Sequence, residues 1–253
     1  MESASNSGMP PRFVVSVVSH GQADLVTHLL ADLATFCTTP IHVVLTINKP
    51  ESLANFSLPF PLTIIENSAP RGFAANHNAA AVAVDSDVFC VLNPDVRLQA
   101  DPFPALMRAL EGENVGVVAP LVIGSGGERQ DSARAFPTPG VALTRLLYKT
   151  QLRSTERVEW VAGMCMMFRT PVFREVGGFD AHYWLYYEDA DLCCRLTLAG
   201  FRVLVCMDAT IVHDAQRTSH RKLRYLIWHV RSALRFFRSS SYRRLRARNR
   251  RGY

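Results

Sequence analysis

Residues 13–96 alternate short apolar runs with stretches of helical periodicity, and this alternation restricts the fold more than any other feature of the chain. Four runs are rich in β-branched residues and close with polar residues, which is typical of buried parallel strands. They are FVVSVVSH at 13–20, IHVVLTIN at 41–48, PLTIIEN at 61–67 and DVFCVLNPDV at 87–96. Helical spacing follows the first run, at 21–36, and the third, where RGFAANHNAAAVAV at 71–84 opens with a turn. The order strand, helix, strand, strand, helix, strand predicts an α/β fold with a mainly parallel sheet flanked by helices.

The second half of the chain is less regular. From residue 116 the pattern predicts a strand, a glycine turn and a polar loop, and residues 134–157 have loop character. VEWVAGMCMMFRTPVFREVGGFD at 158–180 predicts a strand and then a helix, with Thr170 as N-cap and Pro171 as the first helical residue. A further helix ends at Gly200, and an extended segment follows it to His213.

Polar residues follow the ends of the predicted strands. They are Ser19, His20, Asn48, Glu66, Asn67, Asn93 and Asp95. Ligands of α/β sheets bind at the carboxyl ends of the strands, so we expect these residues to gather along one edge. The chain has neither a GxGxxG loop nor a Walker loop, which argues against dinucleotide oxidoreductases and P-loop enzymes.

The stretch LYYEDADLCCR at 185–195 places Glu188, Asp189 and Asp191 together directly after an aromatic run. One explanation is structural, because acids in the first turn of a helix interact favourably with its dipole and Asp191 can pair with Arg195. Asp189 and Asp191 lie about 200° apart around a helix of ~3.6 residues per turn, so their side chains point in different directions. The other explanation is catalysis, and the residues alone leave both open.

The charge of the chain is divided unevenly. Twelve of the 28 Lys and Arg residues lie in 221–253, which contain no Asp or Glu, while residues 1–220 hold all 22 acidic residues. The segment begins as an amphipathic helix with one apolar side, formed by Leu223, Leu226, Ile227, Val230, Leu234 and Phe237. A basic amphipathic helix followed by a cationic tail suits an anionic membrane surface, and packing on the body with a solvated end is the alternative. We expect no nucleic acid partner, because the body is acidic.

The six cysteines form no CxxC pair and mostly lie in apolar runs, so we expect buried, reduced thiols and a reducing compartment. Residues 1–11 are polar and predicted to be disordered, without the apolar core of a signal peptide. The apolar runs fall short of the roughly 18 residues that would span a bilayer. We therefore expect a cytoplasmic protein, peripheral at the inner face of the membrane.

Three pieces of the sequence stand out: LNPD at a strand end, the acidic EDAD and a histidine at 213. In their order and context they resemble the family 2 inverting glycosyltransferases of the GT-A fold. The resemblance is strongest to the bacterial rhamnosyltransferase-like branch that uses deoxythymidine-diphosphate sugars. It covers residues 12–220 and rests on SVVSHGQ, RGFAANHNAA, LNPDV, VAGMCMMFRTPVFREVGGFD, YEDADLCCRLTLAGFRV and the H-x-x-x-R-x-S of 213–219. It implies a single Rossmann-like sheet, with a nucleotide-sugar half at 12–98, an acceptor and catalytic half at 99–220, and the basic segment at 221–253.

The resemblance also implies a donor site and a metal site. Asp95 and His213 correspond to protein ligands of a divalent cation, Mg²⁺ or Mn²⁺, although Asn93 stands where the family's Asp-x-Asp motif has its first carboxylate. The donor-binding residues would be Ser16, Val18, His20, Asn48, Arg71, Gly72, Asn76, Asn78, Asn93, Asp95 and Arg217. On turn chemistry alone, Asp95 is also a plausible turn residue and 71–80 an ordinary turn and helix start.

The family's general base corresponds to Asp189, and Glu188 would orient the acceptor or the start of the helix. Trp184 and Tyr186 are candidates for stacking on the acceptor sugar, and core aromatic residues would have the same pattern. The implied activity is inverting transfer of a sugar, rhamnose favoured, from a nucleotide-diphosphate donor such as dTDP-rhamnose to a saccharide.

The expected acceptor is a lipid-linked saccharide in bacterial cell-surface polysaccharide synthesis. Two alternatives stay open at this point. A sugar nucleotidyltransferase would need a glycine-rich basic loop after the first strand, and SVVSHGQAD has none. A catalytically silent membrane-associated scaffold would explain why Asn93 weakens the metal site.

Overall fold

The structure is a computed structural model that describes residues 12–53, 56–141, 144, 158–213 and 223–251. The predicted disordered segment 1–11 and Arg217 lie outside these residues, as does most of the predicted loop 134–157. Within the described residues, eight strands form one sheet and two short strands form a separate ribbon.

The first half of the chain folds as its alternation predicts. Its elements are β1 (Phe13–Ser19), α1 (Ala23–Phe36), β2 (His42–Ile47), β3 (Leu62–Glu66), α2 (Phe73–Ala83) and β4 (Val88–Leu92). Strand β1 pairs in parallel with both β2 and β4, and β2 pairs in parallel with β3. The carboxyl ends of these four strands therefore share one edge of the sheet, as expected from the sequence.

The second half adds an antiparallel strand to the middle of the sheet. Its elements are β5 (Val96–Arg97), α3 (Phe103–Leu110), β6 (Val115–Ile123), β7 (Ala133–Arg134), β8 (Trp160–Val161), β9 (Cys165–Arg169), α4 (Thr170–Glu175), α5 (Glu188–Leu198) and β10 (Arg202–His213). Strand β9 runs antiparallel between β4 and β6, and β10 runs parallel to β6. The sheet order is β3-β2-β1-β4-β9-β6-β10-β5, so the predicted α/β fold with a mainly parallel mixed sheet is confirmed.

Both faces of the sheet are covered, because successive side chains of a strand point to opposite faces. On β1, Val15 and Val17 pack with α1 and α3, whereas Val14 belongs to the apolar cluster on the side of α2 and α5. Helix α4 differs from its prediction by one residue. Arg169 precedes the helix, and the hydroxyl of Thr170 pairs with that of Ser86 instead of capping it.

The basic C-terminal segment forms two helices, α6 (Leu223–Arg238) and α7 (Ser240–Arg251). The prediction of one helix and a cationic tail was therefore incomplete. Both helices pack on the body through a separate apolar cluster, whose buried members are Tyr183, Ala190, Cys194, Phe236, Tyr242 and Leu245. Four residues of the predicted apolar side of α6 are 46–71% exposed, namely Leu223, Leu226, Ile227 and Leu234. Val230 and Phe237 are half-buried, and Phe237 packs against this cluster. No helix in the described part of the chain is long and apolar enough to cross a bilayer.

An ion pair joins α1 to the edge strand β5. The carboxylate of Asp32 accepts hydrogen bonds from Nε (2.6 Å) and Nη2 (2.7 Å) of Arg97 and from the backbone N–H of Leu98 (3.0 Å). The Asp32 side chain is 9% exposed and that of Arg97 is 43% exposed. Because β5 is only two residues long, it lacks the row of backbone hydrogen bonds that a longer strand would form. The hydrogen bonds to Asp32 take their place.

Arg97→Ala is expected to destabilise the protein, because it leaves a buried carboxylate with one backbone donor. Charged hydrogen bonds contribute about 1.5–3 kcal/mol, and we expect a loss of about 2 kcal/mol in urea unfolding because the guanidinium is half exposed. Arg12→Ala is the matched control, since Arg12 pairs with Asp85 and Asp87 at the surface and should change stability much less. Equal losses in the two variants would contradict this account.

Candidate active site

Asn48 is the centre of a hydrogen-bond network at the ends of β1, β2 and β3. Its Nδ2 donates to Nδ1 of His20 and to the carbonyl oxygen of Arg71 (both 2.9 Å), and its Oδ1 accepts from the backbone N–H of Arg71 (2.8 Å). Asn67 Nδ2 joins Asn48 Oδ1 (2.8 Å) to Asn76 Oδ1 (2.7 Å). Burial, with the positive charges of Lys49 and Arg224, lowers the pKa of His20. The network holds the turn before α2 against the strand ends.

Other predicted residues support this edge from inside the protein. Ser16 is fully buried and its hydroxyl bonds Nδ1 of His77 (2.8 Å). Burial lowers the pKa of His77 to about 3, so the ring stays neutral. Val18 is partly exposed at the end of β1. Asn78 is not brought into the network, because its amide donates to and accepts from the backbone of Phe179 (2.7 and 2.9 Å).

Gly72 brings the start of α2 against the backbone of Trp184. A Cβ at residue 72 would lie 2.8 Å from the carbonyl oxygen of Trp184 and 2.9 Å from its Cα, and backbone atoms have no room to give way. The same carbonyl accepts a hydrogen bond from the N–H of Phe73 (3.0 Å). The exposed turn at Arg71 and the predicted acceptor residue Trp184 are therefore neighbours.

A cleft of about 410 Å³ opens beside this network, at the start of α1. It is lined by residues 21–25 and by Glu51 and Ser52. Both carboxylate oxygens of Glu51 are buried without a hydrogen-bond partner among the described residues. The sequence analysis did not select Glu51. The one signal for it in the sequence is an acidic residue three positions after the predicted strand at 41–48.

Asp95 and His213 meet where β5 pairs with the end of β10. His213 Nε2 lies 3.3 Å from Asp95 Oδ2, while Asp95 Oδ1 is buried without a hydrogen-bond partner in the described part of the chain. The Nδ1 of His213 bonds Oε1 of Gln130 (2.9 Å), whose Nε2 donates to the carbonyl oxygen of His213 (2.6 Å). When Nδ1 carries the proton, the lone pair of Nε2 faces a carboxylate, an arrangement that a cation stabilises. Gln130 was not predicted.

A divalent cation fits these residues with two protein ligands. Oxygen and imidazole donors suit Mg²⁺ and Mn²⁺. Among the described residues no group of three His, Cys, Asp or Glu side chains is placed to hold a metal. The remaining ligands would have to come from water and from a bound phosphate.

Glu188 and Asp189 begin α5, and each is surrounded by protein. Asp189 Oδ1 accepts from the N–H of Ala190 (2.7 Å) and Oδ2 from the N–H of Gly163 (3.1 Å). Burial raises the pKa of Asp189 to about 6, and these backbone donors oppose the rise. Burial, followed by the charge of Asp189, raises the pKa of Glu188 well above its usual range. The raised pKa of Glu188 favours its protonated form, while the two backbone donors favour the ionised form of Asp189, which is an arrangement suited to a base.

Two consecutive residues connect this carboxylate with the strand-end motif. The N–H of Gly163 donates to Asp189, and the carbonyl oxygen of Met164 accepts from the N–H of Asn93 (2.9 Å). The segment that enters β9 therefore lies between the LNPD turn and the start of α5. The structure brings Asn93, Asp95, His213 and Asp189 to one region of the edge.

Asp191 has a structural role, as one reading of the sequence predicted. Its side chain is 5% exposed, and it accepts hydrogen bonds from Nε of Arg195 (2.7 Å) and from the hydroxyl of Ser241 (3.0 Å). The predicted pairing of Asp191 with Arg195 is confirmed. The contact with Ser241 fastens α7 to α5.

The predicted acceptor residues contact the C-terminal helix α6. Trp184 is 42% exposed, and its ring centroid lies 6.0 Å from that of Trp228. Tyr186 packs against His229 at 5.3 Å. Neither residue belongs to the cores on the two faces of the sheet, so they line the surface beside α2 and α5.

The comparisons with known proteins agree with this geometry. A family model described as "Glycosyltransferase like family 2" matches residues 10–253. "Rhamnosyltransferase WbbL" of Escherichia coli (strain K12) is 26% identical over 243 residues, 88% of this chain and 91% of the relative. The "N-acetylglucosaminyl-diphospho-decaprenol L-rhamnosyltransferase" of Mycobacterium tuberculosis (strain H37Rv) is 30% identical over 151 residues, 53% of this chain and 49% of the relative.

A solved structure supports the fold. The mannosyltransferase PcManGT from Pyrobaculum calidifontis, in complex with GDP-Man and Mn²⁺, superposes with a TM-score of 0.62 at 19% identity. The match covers 90% of this chain and 65% of the mannosyltransferase. With the family match across nearly the whole sequence, the strand order and the site at the strand ends, the chain belongs to glycosyltransferase family 2 and is a glycosyltransferase of the GT-A fold.

Proposed function

We propose that this glycosyltransferase transfers rhamnose with inversion from dTDP-rhamnose to a saccharide on a lipid diphosphate, in the synthesis of a bacterial cell-surface polysaccharide. The observation that carries the proposal is the Gly163–Met164 segment, which joins the ionisable Asp189 to the Asn93–Asp95 turn. The rhamnosyltransferase names of the two relatives support the donor sugar, and the mycobacterial name supports the lipid-linked acceptor. The family assignment argues against a sugar nucleotidyltransferase.

The donor is proposed to lie along the ends of β1, β2 and β4. His20, Asn48, Val18 and Gly72 border the nucleoside side, and Ser16 and Asn76 support this edge through their hydrogen bonds with His77, Asn67 and the Arg71 carbonyl. Glu51 lines the cleft with two unpartnered carboxylate oxygens, and such oxygens accept a hydrogen bond from a pyrimidine N–H. The N3–H of thymine or uracil is such a donor.

The leaving group is a nucleoside diphosphate, whose negative charge must be balanced as it departs. Asp95 and His213 are the residues proposed to hold a divalent cation, which neutralises diphosphate charge when bound. Arg71 and Arg217 are proposed to contact the phosphate oxygens, because a guanidinium fork matches their geometry. Arg217 lies outside the described residues.

Asp189 is proposed to be the general base. The acceptor hydroxyl oxygen forms a bond with the anomeric carbon while Asp189 takes its proton, and the bond from that carbon to the diphosphate oxygen breaks. Attack from the face opposite the diphosphate inverts the configuration in one displacement. Glu188 orients the acceptor or the helix start, and Trp184 and Tyr186 offer aromatic faces to the acceptor sugar.

Titration calorimetry with dTDP-rhamnose tests the donor. We expect saturable binding that Mn²⁺ strengthens, and we expect Asp95→Ala and His213→Ala to remove the strengthening by Mn²⁺. Asp208→Ala is the matched control, because Asp208 is exposed on β10. Binding of a uridine or guanosine sugar in place of dTDP-rhamnose would overturn the donor assignment and leave the enzyme class intact.

The pH dependence of kcat tests the base. The raised pKa of Asp189 means that the carboxylate becomes protonated as pH falls through about 6. We therefore expect kcat to be constant above pH 7 and to fall about tenfold per pH unit well below 6, since only the ionised form accepts a proton. Asp189→Asn should lower kcat about 10³-fold without weakening donor binding. The residual activity of this variant should no longer fall as the pH drops through about 6. A full-activity Asn variant would refute the assignment.

The outward face of α6 is proposed to bind an anionic membrane surface, which places the enzyme at the inner face of the cytoplasmic membrane. Leu223, Leu226, Ile227 and Leu234 are exposed there, and arginines of α6 and α7 lie beside them. Apolar residues that insert into the interface, together with cations that attract lipid headgroups, are the two components of peripheral binding.

Vesicle co-sedimentation tests the membrane surface. We expect binding to phosphatidylglycerol vesicles but not to phosphatidylcholine vesicles, and weaker binding at high salt. Ile227→Glu should reduce it strongly. Ile64→Glu is the matched control, because Ile64 is 49% exposed on β3, compared with 46% for Ile227. Equal losses in both variants would show that α6 is not the binding surface.

A further inference from the structure

Two consecutive tyrosines enter α5 in the left-handed conformation. The φ angles are 73° at Tyr186 and 67° at Tyr187, and Tyr187 directly precedes Glu188. The Cβ atom makes this conformation unfavourable for residues other than glycine, because it lies too close to a backbone carbonyl oxygen. Such residues keep the conformation only when their surroundings hold them in it.

The two tyrosines are held by residues on the side of α6 that faces the body. The hydroxyl of Ser232 donates to the carbonyl oxygen of Leu185 (2.8 Å). The ring of His229 packs on both tyrosines, with centroids 5.3 Å away in each case. The ring of Tyr187 also packs on that of the fully buried Phe236 (5.5 Å). These contacts reach the segment from Leu185 to Tyr187.

The position of Asp189 depends on this segment. The first backbone hydrogen bond of α5 runs from the N–H of Asp191 to the carbonyl oxygen of Tyr187 (2.9 Å). A change of Tyr187 to an ordinary φ redirects the peptide groups at the start of the helix. That change would separate Asp189 from its donor at Gly163.

The contacts of α6 are concentrated away from the main cores. Neither apolar cluster on the faces of the sheet contains a residue of α6 or α7. The third cluster joins these helices to α5 and Tyr183. The contacts that His229 and Ser232 of α6 make with residues 185–187 therefore act on the start of α5 and not on the cores of the sheet.

We propose that α6 is a positioning element of the active site, in which His229 and Ser232 hold the left-handed tyrosines and thereby place Asp189 against Gly163. This inference rests on the proposed role of Asp189 as the base. It makes the C-terminal segment part of the catalytic machinery in addition to its proposed membrane contact. His229 and Ser232 are positioning residues, since they act through the segment that they hold.

The test compares Ser232→Ala, His229→Ala and the double variant in the full chain, with Ser57→Ala and His28→Ala as matched surface controls. Activity is measured with dTDP-rhamnose and N-acetylglucosaminyl-diphospho-polyprenol in detergent. We expect kcat of the double variant to fall about 10- to 100-fold, as displaced catalytic groups do, with the Kd of the donor unchanged. The controls should match the wild type.

The titration of Asp189 gives a second readout that needs no activity. Carbon NMR of the intact protein, with aspartate labelled at its carboxyl carbon and Asp189→Asn used to assign the signal, follows its ionisation. Burial raises the pKa of Asp189 and its hydrogen bond from Gly163 lowers it, so displacing the segment changes both effects and should move the midpoint in the double variant. The kcat profile should shift in the same direction.

The possible outcomes separate the two proposals. Wild-type kcat and an unmoved titration in the double variant would overturn the positioning role while Asp189→Asn still tests the base. A loss of donor affinity and thermal stability equal to the loss of kcat would also overturn it, because it would indicate general unfolding. Full activity of Asp189→Asn would instead refute the base assignment, whatever α6 does.

Discussion

A carboxylate must remain ionisable although protein surrounds it, and the arrangement of this site follows from that requirement. Asp189 meets it with two backbone donors, from Ala190 and Gly163. One donor belongs to the first turn of α5, and the other belongs to the segment that leads into β9. The antiparallel course of β9 between β4 and β6 is therefore as important to the acid as the helix that carries it. Burial raises the pKa of Glu188 beside it, which opposes a second buried charge in the pair.

The sequence was sufficient for those parts of the fold that local patterns determine. β-Branched runs and helical spacing predicted β1 to β4 and the helices between them, because each element shows its own periodicity. The direction of β9 has no such signal, since VAGMCMMFR has the same apolar pattern whichever way the strand runs. The packing of α7 on the body could not be predicted for a similar reason. Its composition is dominated by arginine, and the two residues that it buries, Tyr242 and Leu245, are too few to produce a clear period.

The candidate site was predictable in its principal residues and not in their partners. The strand-end rule selected Asn48 and Asp95, and the resemblance to the family selected Asp189 and His213. Gln130 and His77 were missed because each acts through side-chain hydrogen bonds to a single residue far away in the chain. The amide of Asn78, assigned to the donor from its place in a motif, is occupied by the backbone of Phe179. A residue's place in a motif therefore predicts the region of the site in which it lies better than it predicts which group its side chain contacts.

The pairing of β5 with the end of β10 has a consequence for the order in which the molecule is made. Strands β1 to β4 contact neighbours that are close in sequence, so this part of the chain can collapse soon after it leaves the ribosome. Asp95 is synthesised with it, but His213 arrives only when β10 has been completed. The nascent chain thus contains the proposed donor edge before it has both proposed metal ligands, Asp189 or α6. The proposed site therefore assembles only when nearly the whole chain has been made, because its parts come from β1 to β4, from α5, from the end of β10 and from α6.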